Sequence, residues 1–470
     1  MLFAGRVKEL GQLRGVLDQG APQVVRVTGL RGAGKTSLVR RTLIDYPGLL
    51  HRCAPLPAPA QFKLLKDRID GARSERGMPP AILDSGVDSG ADWAGLFLAA
   101  RSLAEAGERP FVLAIDDAHR LSEARARHTD AMLTAQHAPS DDLGTLHLVL
   151  IGSESGVSAE AAFAPHTVRT VRVGPLPFRT AATYLPGTRP EDRVRAYALF
   201  GGIPRVLAAL DPSASVETNV RRVLLDPHGT LADVSAAWLE QDIQSPARYV
   251  AIMSALALGE GDWATVHAGV PDLTKSGQVA PYLNRLMELG LISSRRPLDA
   301  TPRSRTTRYA VSDPLLSFWF RFVLPYRYGH GRDTESEYYA RVVRPGLDVH
   351  IEGVFPIICR QHMIHDSIET LGSVAREHGS LWGRGCDLPV AGILTSGAAY
   401  YGVCHWDGPN RTEEPLGRIE RNMRETRYGF GRERRLRLIF TGTTAPRRLQ
   451  REVARRHDAQ VIDADALLGN

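Results

Sequence analysis

An α/β fold built on a parallel sheet is the class that this sequence predicts, and three observations in its first third predict it. The β-branched run Val24-Val25-Arg26-Val27 leads into Gly29-Leu30-Arg31-Gly32-Ala33-Gly34-Lys35-Thr36, after which Ser37-Leu38-Val39-Arg40-Arg41 opens an amphipathic helix. A second apolar run, Phe111-Val112-Leu113-Ala114-Ile115, ends in Asp116 and Asp117. A third, Leu146-His147-Leu148-Val149-Leu150-Ile151, ends in Gly152 and Ser153. Between the first two runs, residues 90–108 place Trp93, Leu96, Phe97, Ala99, Ala100 and Leu103 at helical spacing. Strand, helix, strand, helix, strand is the order of a parallel sheet covered on both faces.

The segment 29–36 satisfies G-x-x-x-x-G-K-[ST], and it has the strand before it and the helix after it that this motif requires. Its glycines let backbone N–H groups turn inward around a triphosphate, and the helix N-terminus adds partial positive charge. The loop residues expected to meet the nucleotide are Gly29, Arg31, Gly32, Ala33, Gly34, Lys35, Thr36 and Ser37. Lys35 reaches the β- and γ-phosphates, and the Thr36 hydroxyl is a ligand for Mg²⁺. Asp116, at the C-terminal end of its strand, is the second expected member of the Mg²⁺ shell. Asp117 takes the place of the carboxylate that orients the attacking water, so the expected catalytic pair is Asp117 and Lys35. Asp is one methylene shorter than Glu, which predicts slow turnover. Ser153 is placed to sense the γ-phosphate.

At 470 residues the chain is too long for a single core and suggests about three domains at typical sizes. With 43% hydrophobic and 23% charged residues, its composition is that of a soluble globular protein. There is no apolar run of membrane-spanning length, no apolar leader near Met1, and only four cysteines, so the expectation is a cytoplasmic protein without a disulfide framework. Charge is uneven. Residues 411–456 hold fourteen Arg, no Lys and six Glu, a local net of +8 against +6 for the whole chain. Such a segment suits nucleic acid or another polyanion, although five Lys in the whole chain show that Arg is favoured everywhere. Glu420 and Arg424 stand at i,i+4 and are expected to pair.

Residues 246–312 read as a winged helix-turn-helix. Tyr249–Leu258 is an apolar first helix, and Val279–Gly290 is a recognition-type helix with Pro281 in its first turn and Gly290 as its stop. Leu291-Ile292-Ser293 and Thr307–Val311 follow as a hairpin whose long tip carries Arg295, Arg296, Arg303 and Arg305. A basic wing could straddle DNA backbone and groove, or the module could serve packing alone.

Three elements together resemble the archaeal-type ATPases of the AAA+/STAND class. They are the opening Phe3-x-Gly5-Arg6-x-x-Glu9-Leu10, Gly201-Gly202-Ile203-Pro204-Arg205, and Asp313-Pro314-x-x-x-Phe318-Trp319-Phe320-Arg321-Phe322. The resemblance implies ATP and Mg²⁺ as cofactors and divides the chain into an ATPase core (1–175), a helical lid (176–240), a winged helix (241–326) and a nuclease-like α/β domain (327–470). It places Arg6 beside the adenine, Pro204 near the base, and Arg205 as a sensor-2 arginine reaching for the phosphates.

In many relatives the last domain is similar to PD-(D/E)xK nucleases, which need two or three carboxylates for a divalent metal and a Lys for the attacking hydroxide. On that pattern Pro356 stands where Glu is expected, with Glu352 one helical turn earlier. Val403 and His405 stand where Glu and Lys are expected, and Asp387 alone is retained. The implied domain is a pseudo-nuclease. Cys359-x-x-His362-x-x-His365 does not have a zinc-site spacing. The expected function is an ATP-binding, slowly hydrolysing molecular switch. It would work with nucleic acid through the Arg-rich wing and tail, or with a protein partner, and away from membranes. An ATP-dependent nuclease and a DNA-binding regulator with a structural nucleotide are the alternatives.

Overall fold

The computed structural model describes residues 3–83, 93–104, 109–120, 144–152, 168–232, 246–301, 304, 306–329, 333–383, 385–407 and 414–469. The chain divides into two compact units, Met1–Gly174 and Pro175–Asn470.

In the first unit, five strands form one sheet: β1 (Val24–Thr28), β2 (Gly48–Arg52), β3 (Phe111–Asp116), β4 (Leu146–Gly152) and β5 (Val168–Arg172). Their spatial order is β2-β3-β4-β1-β5, with every neighbouring pair parallel. β3 and β4 are buried at every position, which is why both read as unbroken apolar runs rather than alternating ones. β4 lies between β1 and β3, and its register sets Gly152 opposite Thr28 and Ile151 opposite Asp116. The C-terminal ends of these three strands therefore share one edge of the sheet, where open parallel sheets take their ligands.

That edge is held by a dense apolar layer. Phe62, Leu65 and Ile69 of helix Ala58–Glu75, with Trp93, Leu96 and Phe97 of helix Trp93–Arg101, pack on Leu113, Ile115, Leu148 and Leu150. The Phe62 and Trp93 rings meet edge to face at 5.1 Å. The predicted helix over 90–108 is thus seen as Trp93–Arg101, while residues 90–92 and 105–108 lie outside the described ones.

The second unit begins with helices Phe178–Ala182, Pro190–Phe200, Pro204–Leu207 and Val216–Val220. Helices Ala247–Leu256, Trp263–Ala268 and Ala280–Glu288 follow, then the antiparallel hairpin β6 (Ile292–Arg295) and β7 (Arg308–Val311). A lone bridge from Gly261 to Tyr309 adds a third edge to the hairpin. Pro281 falls in the first turn of its helix, where its missing N–H costs no hydrogen bond. Asp313 caps helix Pro314–Phe318 by accepting the Leu315 N–H at 2.9 Å. A Cβ on Gly201 would stand 2.7 Å from both Asp313 carboxylate oxygens, so the Gly-Gly-Ile-Pro turn and the Asp-Pro helix form one close-packed joint.

The C-terminal sheet has the order β12-β11-β10-β9-β8. β8 (Ala375–Gly383), β9 (Cys386–Leu394) and β10 (Ala399–His405) form an antiparallel meander. β11 (Arg435–Thr441) and β12 (Ala459–Ile462) continue it in parallel. Helices Pro415–Glu425 and Arg447–Ala454 cover one face through Leu416, Ile419, Leu449 and Val453. The long helix Arg344–His365 carries Pro356 in its interior. Among the described residues, no helix is long and apolar enough to cross a membrane.

Candidate nucleotide-binding site

The phosphate loop joins β1 to helix Lys35–Thr42 through three glycines with positive φ: 146° at Gly29, 84° at Gly32 and 95° at Gly34. At Gly29 glycine is required for space as well, because a Cβ there would come within 2.2 Å of the Val173 carbonyl oxygen. Gly34 is the left-handed N-cap, a conformation that side-chain-bearing residues rarely adopt. The loop therefore delivers the first N–H groups of the helix and the Lys35 side chain to the same edge as the ends of β3 and β4.

Lys35 donates Nζ to the carbonyls of Gly29 (2.8 Å) and Leu30 (3.0 Å), which folds its ammonium back across the loop. Burial holds its pKa below the usual lysine range, against the pull of Asp116 and Asp117 and with a further push from Arg31. An ammonium this desolvated gains strongly from an anion placed beside it. Thr36 Oγ1 donates to Asp116 Oδ2 at 2.7 Å, bringing together two residues eighty positions apart. A hydroxyl and a carboxylate are hard oxygen donors of the kind Mg²⁺ takes, with nucleotide oxygens and water completing such a shell. Among the described residues no group of three or more His, Cys, Asp or Glu gathers as a candidate metal site.

Asp117 adopts φ 55°, one of two non-glycine residues with positive φ among those described. Its backbone N–H donates to Asp116 Oδ1 at 3.0 Å, while Arg52 Nε donates to Asp117 Oδ2 at 3.3 Å. The turn after β3 thus sends consecutive carboxylates in different directions, one to Thr36 and one to Arg52. Arg52 ends β2 and is largely exposed, so the contact is weak and breakable.

Arg6, the other non-glycine residue with positive φ, precedes helix Val7–Leu17. Its guanidinium is buried and donates to Glu9 Oε1 and to the Ala33 carbonyl, each at 2.8 Å. Arg6 therefore braces the phosphate loop from behind, a role that its position twenty-seven residues upstream did not reveal. Arg52 was equally hidden, since β2 is short and has no motif. Cys53, buried next to both acids, has its thiol pushed up to about 12 by burial and is inert as a nucleophile. Arg31 is exposed, and Ser37 is half-buried at the start of the helix. Ser153 lies outside the described residues, one position past the end of β4. Pro204 and Arg205 begin a short helix in the second unit, with Arg205 exposed.

In the second unit, the residues compared with the nuclease pattern are placed as follows. Glu352 accepts the Trp406 backbone N–H at 2.7 Å, and burial raises its carboxyl pKa. Val403 is fully buried in the sheet. Asp387 is exposed and stands 3.5 Å from Arg308 and 3.6 Å from Arg418. Several basic residues also turn inward. Arg295 meets Glu260 and Ser380, and Glu420 pairs with Arg456 (3.0 Å) and Arg437 (3.4 Å) rather than with Arg424. Arg303 and Arg305 lie outside the described residues. Arg447, Arg448, Arg451 and Arg455 remain exposed along or just past helix Arg447–Ala454.

A parallel sheet in this order, with a glycine loop, a loop lysine and a Thr–Asp pair at one edge, defines the class of P-loop ATPases. Residues 2–151 match the AAA ATPase domain family, and this domain supports ATPase activity. Over 188 residues the chain is 23% identical to an uncharacterized protein of Methanocaldococcus jannaschii, covering 38% of this chain. It spans only 41% of that curated relative's length. The Walker-type ATPase of Pyrococcus abyssi is similar in structure, with a TM-score of 0.50 and 19% identity over 68% of this chain and 96% of that one. A signal-transduction ATPase with a tetratricopeptide repeat sensor from Pyrococcus horikoshii matches at a TM-score of 0.31 and 13% identity, over 79% of this chain and 52% of its own.

Proposed function

We propose that the protein is an ATP-driven molecular switch whose second unit responds to the nucleotide held by the first. The observation that carries this reading is the Thr36–Asp116 hydrogen bond at 2.7 Å, set beside Lys35 and one residue before Asp117. Gly29, Gly32 and Gly34 wrap the phosphates with backbone N–H groups, helped by Arg31, Ala33 and Ser37, and Lys35 pairs with the β- and γ-phosphates. Thr36 and Asp116 are the residues that would hold Mg²⁺, which neutralises phosphate charge when bound. Asp117 orients the attacking water once its carboxylate leaves Arg52. Arg6 keeps the loop in register through Ala33. Ser153 keeps the sensor role that its place after β4 suggests, and Pro204 and Arg205 keep the roles that the resemblance implies.

In this reading, helices Ala247–Leu256, Trp263–Ala268 and Ala280–Glu288 with the β6–β7 hairpin are a winged helix, a reading supported by the order of three helices followed by a two-stranded hairpin. The C-terminal sheet is a nuclease-like domain without its chemistry, because Pro356 and Val403 replace the acids that a metal needs. The exposed arginines of helix Arg447–Ala454 offer a polyanion surface, and nucleic acid is the partner that they fit best.

Hydrogen exchange on the full chain tests the switch. A non-hydrolysable ATP analogue and ADP should give different protection at residues 201–210. Identical exchange in the two nucleotide states, with both shown to be bound, would sink it.

A further inference from the structure

The turn that joins helix Pro415–Glu425 to β11 leaves a large aromatic side chain in solvent. Phe430, within residues 426–434, is 80% exposed. A single exposed apolar residue is ordinary on a protein surface. Two further observations set this one apart: how firmly its turn is held, and which residues accompany it in the chain.

The turn is anchored to the sheet beneath it. Thr426 Oγ1 accepts the Tyr428 N–H at 3.1 Å, and the Tyr428 carbonyl accepts the Tyr401 hydroxyl at 2.6 Å. The Tyr428 hydroxyl donates to Glu377 Oε2 of β8 at 2.9 Å. The Phe430 N–H donates to the Arg427 carbonyl at 3.0 Å, and the Arg432 N–H to the Gly429 carbonyl at 3.3 Å. Gly429 and Gly431 take positive φ, 69° and 83°, and a Cβ on Gly429 would collide with Tyr401 Oη. An aromatic side chain carried on so constrained a turn loses little further freedom when a ligand covers it.

Positive charge accompanies the ring. Residues 426–435 carry Arg427, Arg432, Arg434 and Arg435, all exposed, against the single acid Glu433. None of these four arginines forms an ion pair among the described residues. The basic surface continues beyond the turn. Arg437, two residues along β11 from Arg435, shares Glu420 and Asp458 with Arg456, so exposed Arg455 lies at the same end of the sheet. The turn therefore adjoins the end of helix Arg447–Ala454.

We infer that this turn binds single-stranded nucleic acid, with one base stacked on Phe430 and the arginines on the neighbouring phosphates. The inference rests on the polyanion reading of helix Arg447–Ala454 and names the form of nucleic acid. Phosphates are offered by duplex and single strand alike, but a base offers its π-face only outside a duplex stack. An exposed ring on a fixed turn beside exposed guanidinium groups thus suits the single strand. Every base has such a face, so little sequence preference is expected.

Fluorescence anisotropy of the full chain with a labelled oligothymidylate, beside a duplex of equal length, tests this. Phe430→Ala should weaken single-strand binding by about fivefold or more, the low end for loss of one stacked base, without changing the salt slope. Phe430→Trp should retain or tighten binding. Phe430→Leu is apolar but has no π-face, and should behave as Phe430→Ala does. Replacing Arg432, Arg434 and Arg435 together with Gln should instead flatten the salt dependence. Duplex binding should not respond to Phe430. Unchanged single-strand affinity in Phe430→Ala, or full affinity in Phe430→Leu, would overturn the inference and leave duplex binding through helix Arg447–Ala454 standing. Absence of binding to either form, or Phe430-dependent binding to anionic vesicles alone, would overturn both.

Discussion

Replacing Asp117 with Asn separates binding from hydrolysis more cleanly than any other single change in this protein. Asp117 has φ 55°, and Asn is among the few side-chain-bearing residues that adopt this conformation readily, so the turn after β3 survives. Its N–H still donates to Asp116 Oδ1, and the Thr36–Asp116 bond is untouched. The lost ion pair with Arg52 is long and exposed, worth about 0–1 kcal/mol, so nucleotide affinity should move by less than about fivefold. Turnover should behave differently. A positioned general base contributes about 10²–10⁴-fold, equivalent to roughly 3–5 kcal/mol of barrier. Calorimetry with a non-hydrolysable analogue, beside a phosphate-release assay, separates the two effects. Undiminished turnover would show that another group orients the water. Lost binding would place Asp117 in the metal shell instead.

Other changes follow from the same geometry. Lys35→Ala should abolish ATP binding in the same titration, because the loop loses its desolvated ammonium; retained affinity would move phosphate recognition to Arg31 or the backbone alone. Asp313 is buried, and its carboxyl is pushed up to about 7 by desolvation. Between its ordinary value and about 7, the unfolded chain ionises while the folded one keeps its proton, so this group's stabilisation is lost as pH rises through that window. Asp313→Asn does not titrate, and its stability relative to the parent in urea should improve by roughly 4 kcal/mol or less from pH 4 to pH 8; a pH-independent difference would refute the assignment. Replacing Arg447, Arg448, Arg451 and Arg455 together should lower duplex-DNA affinity and flatten its salt dependence, whereas Arg295→Gln should do neither. Equal effects, or no DNA binding at low salt, would favour a protein partner.

The parallel sheet and its phosphate loop were legible in the sequence because they are local. A buried strand shows as an unbroken apolar run, as in β3 and β4, and glycines at 29, 32 and 34 are demanded by backbone angles that no other residue adopts easily. The edge strand β5, Val-Arg-Thr-Val-Arg, has its arginines and Thr170 in partly or fully exposed positions and carries no such run. The short β2 was equally silent. What lay beyond the sequence were the pairings between distant residues: Arg6 with Ala33, Arg52 with Asp117, Arg295 with Glu260, and Glu420 with Arg437 and Arg456. An arginine side chain is long, and its charge is the same whether it faces solvent or a buried acid. Which arginines are exposed to a partner and which are spent inside the protein is decided by packing, and only the tertiary structure brings the acids to them.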